Sequence, residues 1–238
     1  MESWVKDCRY ILMPARHPVK GYEVEYKAAY DVWRRAWGKY REETGINGPL
    51  HSDGFVLPDE MGVLFHGSNC IGFSSFTYGD LKAGPMPDMS WFGSWDQKSY
   101  HKLSTISPDA IICSQFTVNP DFAGKGQMVR WKDIISLYTL IRFEHTQMGV
   151  MAGCLNLIRG MQNASGEDAG AIVLNKEHSF NYGGKELPAQ LVAYNKENIK
   201  SMIERKQLRG LCEDLWGQLV HISEYPVEDN IIEIKKAA

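Results

Sequence analysis

The residues best suited to chemistry run from Phe116 to Met128, in the order Phe-Thr-Val-Asn-Pro-Asp-Phe-Ala-Gly-Lys-Gly-Gln-Met. A strand-forming run ends at Asn119-Pro120-Asp121, a turn carrying Gly124 and Gly126 follows, and a helical pattern begins at Trp131. At such a junction the N–H groups of the turn and the first unbonded N–H groups of the helix converge on a concave site for an anion. Gly124 and Gly126 let the backbone approach that anion closely, and Lys125 adds a positive charge at its rim. The implied chemistry is the holding of a phosphate-bearing ligand.

Other polar residues carry weaker signals. Asp53, Asp59 and Glu60 precede the second strand and are candidate proton acceptors; the plain alternative is solvated charges at a strand end. Before Val118 stand Ser114, Gln115 and Thr117, none of them a base at neutral pH, with Gln115 suited to positioning substrate or water. Glu144 and His145 close a long helix, where a histidine most often compensates the helix dipole. Arg34, Arg35 and Arg41 on the first helix offer charge for a carboxylate or an acidic protein surface, or simply a solvated face. Trp33 and Trp37 read as core. The five cysteines are odd in number and scattered, and the seven histidines form no paired ligand motif, so no metal site is expected.

Composition sets outer bounds. A length of 238 residues with 44% hydrophobic and 23% charged residues fits one globular domain spanning 1–238. The net charge of −3 argues against a nucleic-acid partner. No run approaches the roughly 20 apolar residues of a membrane span. Met1 to Arg9 lacks an apolar signal core, so the expected location is cytoplasmic. Exposed Trp91, Phe92 and Trp95 would offer a peripheral membrane contact.

The elements that must position the turn follow from periodicity. Tyr10 to Met13 reads as a strand and Glu23 to Thr44 as a helix stopped by Gly45. Met61 to His66 and Cys70 to Tyr78 form a hairpin. Ala83 to Trp95 reads as a loop packing through methionines and tryptophans, either a plain covering loop or one lying over a pocket. Ala110 to Val118 is a strand, Trp131 to Met148 a helix, and Val150 to Ile158 a strand. Ala171 to Leu174 and Ala189 to Tyr194 are short strands. Lys196 to Leu219 is a helix bent near Gly210, and with the tail it forms the C-terminal part from about 196. The fold class is mixed α/β.

The glycine turn resembles the acyl-CoA-binding signature of the GNAT acyltransferase superfamily: a strand ending in Val, an Asn-Pro-Asp turn, an aromatic, then a glycine-rich entry to a helix. Val118, Asn119-Pro120-Asp121, Phe122 and Ala123-Gly124-Lys125-Gly126-Gln127-Met128 carry it. Ala123 stands where Arg or Gln is usual, and Met128 where a small residue is usual. Arg159 to Ala164, followed by Gly170-Ala171, resembles the family's penultimate helix, with Ser165 near the place of a general-acid tyrosine and no tyrosine beside it in sequence. Val32-Trp33, Trp37, Ser52-Asp53-Gly54-Phe55, Asp59 to Phe65 and Ser114 to Val118 are similar to the branch of acyl-homoserine-lactone synthases and long-chain N-acyl amino acid synthases.

That resemblance implies a mostly antiparallel sheet with splayed central strands, flanked by helices. It implies a donor, acyl-CoA or acyl carrier protein, bound along Phe116, Thr117, Val118 and Ala123 to Met128, and a small amine as acceptor. Val118 would donate its main-chain N–H to the oxyanion, Gln115 would position substrate, and Asp53 or Glu60 would take the amine proton through water. Two alternatives share the fold: an acyl-homoserine-lactone synthase, and an acyl-thioester-binding protein without turnover.

Overall fold

The computed structural model describes residues 3–124 and 129–227. Strand β1 (Cys8–Pro14) leads into α1 (Glu23–Thr44), one-turn α2 (Asp53–Val56), and the hairpin β2 (Glu60–His66) and β3 (Asn69–Asp80). A long loop then enters α3 (Gln97–Ile106), followed by β4 (Asp109–Val118), α4 (Trp131–Glu144) and β5 (Val150–Asn156). Short α5 (Gln162–Ser165), the hairpin β6 (Ile172–Tyr182) and β7 (Lys185–Tyr194), helices α6 (Lys196–Arg205) and α7 (Arg209–Trp216), and β8 (Leu219–His221) complete it.

The described strands form one sheet in the order β6-β7-β5-β4-β3-β2-β1-β8. Neighbours are antiparallel except β4 with β5 and β1 with β8. On one face, α1 buries Ala29, Val32, Trp33, Ala36 and Tyr40, a stripe at helical spacing, and α3 with the preceding loop covers the β4–β7 half. On the other face, α4 lies between the sheet and α6 and α7, which explains its burial from Trp131 to Glu144. The Tyr138 hydroxyl donates to the Leu215 carbonyl at 3.0 Å across that layer.

Several elements depart from expectation. Helix α3 and strand β8 were not foreseen, and β6 and β7 run far longer than their apolar stretches. The C-terminal helix is two helices, broken at Gln207 (φ 56°) upstream of Gly210. Helix α4 stops at Glu144, where His145 caps it. Phe92 is buried and packs edge-on against Trp95 and Tyr100, while Trp91 and Trp95 are half-buried. No helix among the described residues is long and apolar enough to cross a membrane.

Helix α3 begins at an N-cap. Asp96 accepts the Ser99 N–H at 2.8 Å and its hydroxyl at 2.7 Å, and Asn175 on β6 donates to it at 3.0 Å. The Ser99 bonds, above all, hold the Asp96 carboxyl down at about 2. Asp96→Ala should cost about 1 kcal/mol at pH 7. Because the folded-state value is depressed, this contribution is present above the unfolded value of about 3.9 and lost as pH falls through about 2. Urea unfolding of both proteins at pH 7 and pH 2 checks it; an equal difference at both pH values would contradict the cap assignment.

Candidate active site

Strands β4 and β5 pair only from Ala110–Val150 to Cys113–Gly153. Beyond that point β5 stays paired with β7 as far as Asn156, while β4 follows β3 to Val118, so the two central strands part. The cause is local. Between Phe73–Thr117 and Ser75–Ser114 the register slips, so that Gln115 and Phe116 face one residue of β3. Gln115 occupies the left-handed region (φ 50°), costly for a residue with a Cβ and held only by its surroundings. The Trp33 indole N–H donates to Gln115 Oε1 at 3.0 Å, and the Thr117 hydroxyl donates to the Gln115 carbonyl at 2.7 Å. Trp37, one turn along α1, donates to Thr117 Oγ1 at 3.0 Å. The two tryptophans expected only as core thus also pin the bulge. Gly54 on α2 lies against the Gln115 amide, where a Cβ would come within 2.8 Å of Nε2.

A cavity of about 480 Å³ passes through the sheet where the strands part. Its α4-side wall includes Phe116, Leu140, Met151, Met161 and Tyr194, and its α1-side wall includes Trp37, Trp91, Trp95, Cys154 and Arg159. Of the loop from Ala83 to Trp95, the last part, Ser90 to Trp95, lines this cavity, and the part before it packs as a plain cover. Cys113 and Cys154 both line it, and burial pushes each thiol up to about 12. Neither supplies a thiolate near neutral pH. Tyr194 donates to the Ser165 carbonyl, and Ser165 meets Ser136 at 2.8 Å. A phenol therefore does stand at Ser165, contributed by a strand distant in sequence, and burial raises its pKa.

The expected site residues separate into groups. Gln115 and Phe116 line the cavity; Thr117 and Val118 lie just past it. The Asn119 N–H donates to the Ile71 carbonyl at 2.7 Å, so alternation along the antiparallel pair turns the Val118 N–H away from β3, toward the open side. Opposite Val118, Gly72 (φ 156°) leaves space where a Cβ would meet the Thr117 carbonyl oxygen at 2.1 Å. The turn is anchored: Asn119 donates to the Cys70 carbonyl and accepts from Asp121 N–H, while Arg35 reaches Asp121 at 2.8 Å and Asn119 at 3.2 Å. Ala123 and Gly124 are exposed, and no atom of the described residues lies within 4 Å of a Cβ placed at Gly124. Lys125, Gly126, Gln127 and Met128 lie outside the described residues.

Two acids are not brought to the cavity. Asp53 is exposed at the start of α2. Glu60 is fully buried: Arg142 Nε reaches its Oε2 at 2.7 Å and Nη2 its Oε1 at 3.2 Å, and the Tyr78 hydroxyl donates to it at 2.9 Å. With both oxygens occupied and no exposure, it is a structural counter-ion and holds no water toward a substrate. The first-helix arginines are also engaged elsewhere: Arg35 on the turn, Arg41 on the Asn47 and Gly48 carbonyls, and Arg34 over Tyr30. Arg159, quoted above only within a helix-like motif, is the residue that sequence reasoning missed.

No protein-family model and no curated protein matches the sequence significantly. Solved structures match its fold. FeeM, an N-acyl amino acid synthase from uncultured soil microbes, superposes with a TM-score of 0.53 at 16% identity, covering 83% of this chain and 98% of that one. BjaI, a CoA-dependent acyl-homoserine lactone synthase with SAM and isopentyl-CoA, gives 0.52 at 11% identity over 93% and 96%. The acyl-homoserine lactone synthase LasI gives 0.51 at 13% identity over 90% and 96%. The resemblance drawn from Val118 to Met128 holds at the level of the fold, which this chain shares with the N-acyl amino acid and acyl-homoserine lactone synthases.

Proposed function

We propose that this chain is an N-acyltransferase that moves an acyl group, fatty by the size and lining of the cavity, from acyl-CoA or acyl carrier protein to a small amine such as an amino acid. The observation that carries this reading is the largely apolar cavity where β4 and β5 part, lined by residues from both faces of the sheet. A thioester threaded from the α4 side and an amine entering from the α1 side would meet at the bulge. The donor phosphates would lie at the turn from Ala123 to Met128, ahead of α4, whose first N–H groups have no side-chain cap.

In the proposed reaction the amine nitrogen adds to the thioester carbonyl carbon, and the Val118 N–H donates to the oxyanion. Collapse of the adduct breaks the C–S bond, the nitrogen gives its proton to water, and the thiolate leaves and is protonated. No Asp, Glu or His stands among the described lining residues, so the amine would enter as the free base, with Gln115 orienting it. With both thiols held protonated, the acyl group would pass directly to the amine without a covalent enzyme intermediate.

The test is mass spectrometry of lipid extracts from cells producing the wild type or Gly124→Trp, an exposed position. The expected result is an acylated amine present only with the wild type. An acyl-homoserine lactone would identify S-adenosylmethionine as acceptor instead. Acyl-CoA binding by the pure protein without any acylated product would identify a binding protein.

A further inference from the structure

Arg159 is the one charged side chain among the described residues that line the cavity. It follows β5, where its own N–H donates to Asn156 Oδ1 at 3.2 Å, and its guanidinium lies over two rings of α1, 4.4 Å from the Tyr40 centroid and 5.0 Å from Trp37. One Nη2 bond reaches the Ala36 carbonyl at 3.3 Å. No carboxylate among the described residues lies within ion-pair distance of it. Of the two more deeply buried arginines, Arg142 has Glu60 and Arg41 has the Asn47 and Gly48 carbonyls, whereas one long carbonyl bond is all that Arg159 makes through its guanidinium among the described residues. A half-buried guanidinium with donors to spare and no counter-ion is costly unless a ligand completes it. Burial indeed pulls Arg159 below its ordinary value, against weaker opposing effects led by Tyr40 and Glu43.

Its surroundings point to which ligand. Asn156 donates to the Tyr40 hydroxyl at 2.6 Å, and Asn181 and Tyr182 also line the cavity, so amide and phenol groups accompany the guanidinium, while the polar side chains elsewhere in the lining are uncharged. The guanidinium lies on the α1 side of the sheet, opposite the α4 side from which the donor would enter. A planar fork stacked on aromatic rings matches a carboxylate in bidentate fashion.

We propose that Arg159 binds the carboxylate of the acceptor, which makes the acceptor class amino acids and not simple amines or polyamines. This inference rests on the acyltransfer reading above. In kinetics with an acyl-CoA, wild type should prefer amino acids to their carboxamides. Arg159→Met should raise KM for the amino acid by about thirtyfold or more, leave KM for acyl-CoA unchanged and erase the preference. Arg159→Lys, which keeps the stem on the rings and the charge but not the fork, should fall between. Unchanged preference in Arg159→Met, or a rise in KM for acyl-CoA instead, would overturn the assignment; the latter would place a donor phosphate on Arg159. If wild type acylates no amine at all, the acyltransfer reading fails separately. Calorimetric binding of an N-acyl amino acid against its carboxamide still decides the carboxylate site, which requires tighter binding of the acid, lost in Arg159→Met.

Discussion

Cys154→Phe is expected to lower acyl transfer by at least about 100-fold, the scale on which misplacing reactants by about 1 Å acts, while the protein stays folded. Cys154 stands on β5 with its side chain partly exposed to the cavity, on the wall shared with Trp91 and Trp95. A phenyl group there occupies the path where the strands part. Because it grows into a cavity of about 480 Å³ and not into packed core, it avoids most of the strain of overpacking. Cys154→Ser is the control and should keep activity within about threefold, since a thiol held up at about 12 is no nucleophile near neutral pH. Steady-state assays of thiol release with thermal melts of each variant provide the check. Full activity in Cys154→Phe would remove the cavity from the mechanism, and loss in Cys154→Ser would indicate a covalent cysteine intermediate.

Glu60→Ala should destabilise the fold by about 3–5 kcal/mol, because it strands a buried guanidinium. Arg142 and Glu60 are both 0% exposed, so water cannot replace the missing carboxylate. The Tyr78 hydroxyl contacts both partners, and Arg142 also donates to the His145 and Pro226 carbonyls, so the loss spreads to the segment after β8. Turnover per folded molecule should be unchanged. Urea unfolding gives the first quantity and active-site-normalised rates the second. A variant of wild-type stability but impaired turnover would return Glu60 to the role of base. Replacing both partners with apolar residues, Glu60→Leu with Arg142→Met, should recover most of the loss.

The parts of the molecule that could be read in advance are those governed by local pattern. Helix α1 was expected at its observed bounds because its apolar stripe is continuous and Gly45 ends it in the left-handed region (φ 67°). Helix α3 escaped notice because only Tyr100, Leu103 and Ile106 mark its inner face, although Asp96 three residues before Ser99 was a usable cap signal. In β6 and β7 the exposed polar residues hide the pairing, and the Gly183-Gly184 turn was the available clue. The site divides the same way. The glycine turn and Gln115 are evident in the sequence. The bulge is not, since a glutamine adopts φ 50° only when Trp33, 82 positions away, holds it. Glu60 read as a candidate base because its partner is likewise 82 positions off. Arg159 could not be distinguished from any loop arginine until Trp37 and Tyr40 were seen beneath it.

The most direct test of the thioester position is photo-crosslinking with a non-hydrolysable acyl-CoA thioether that carries a diazirine near its carbonyl carbon. Tandem mass spectrometry of the digested protein would locate the label. The expected label falls on β4 between Cys113 and Val118 and on β5 between Gly153 and Asn156, and disappears in Cys154→Phe. A label confined to other strands or to the outer helix surfaces, unaffected by that substitution, would contradict a thioester held between β4 and β5.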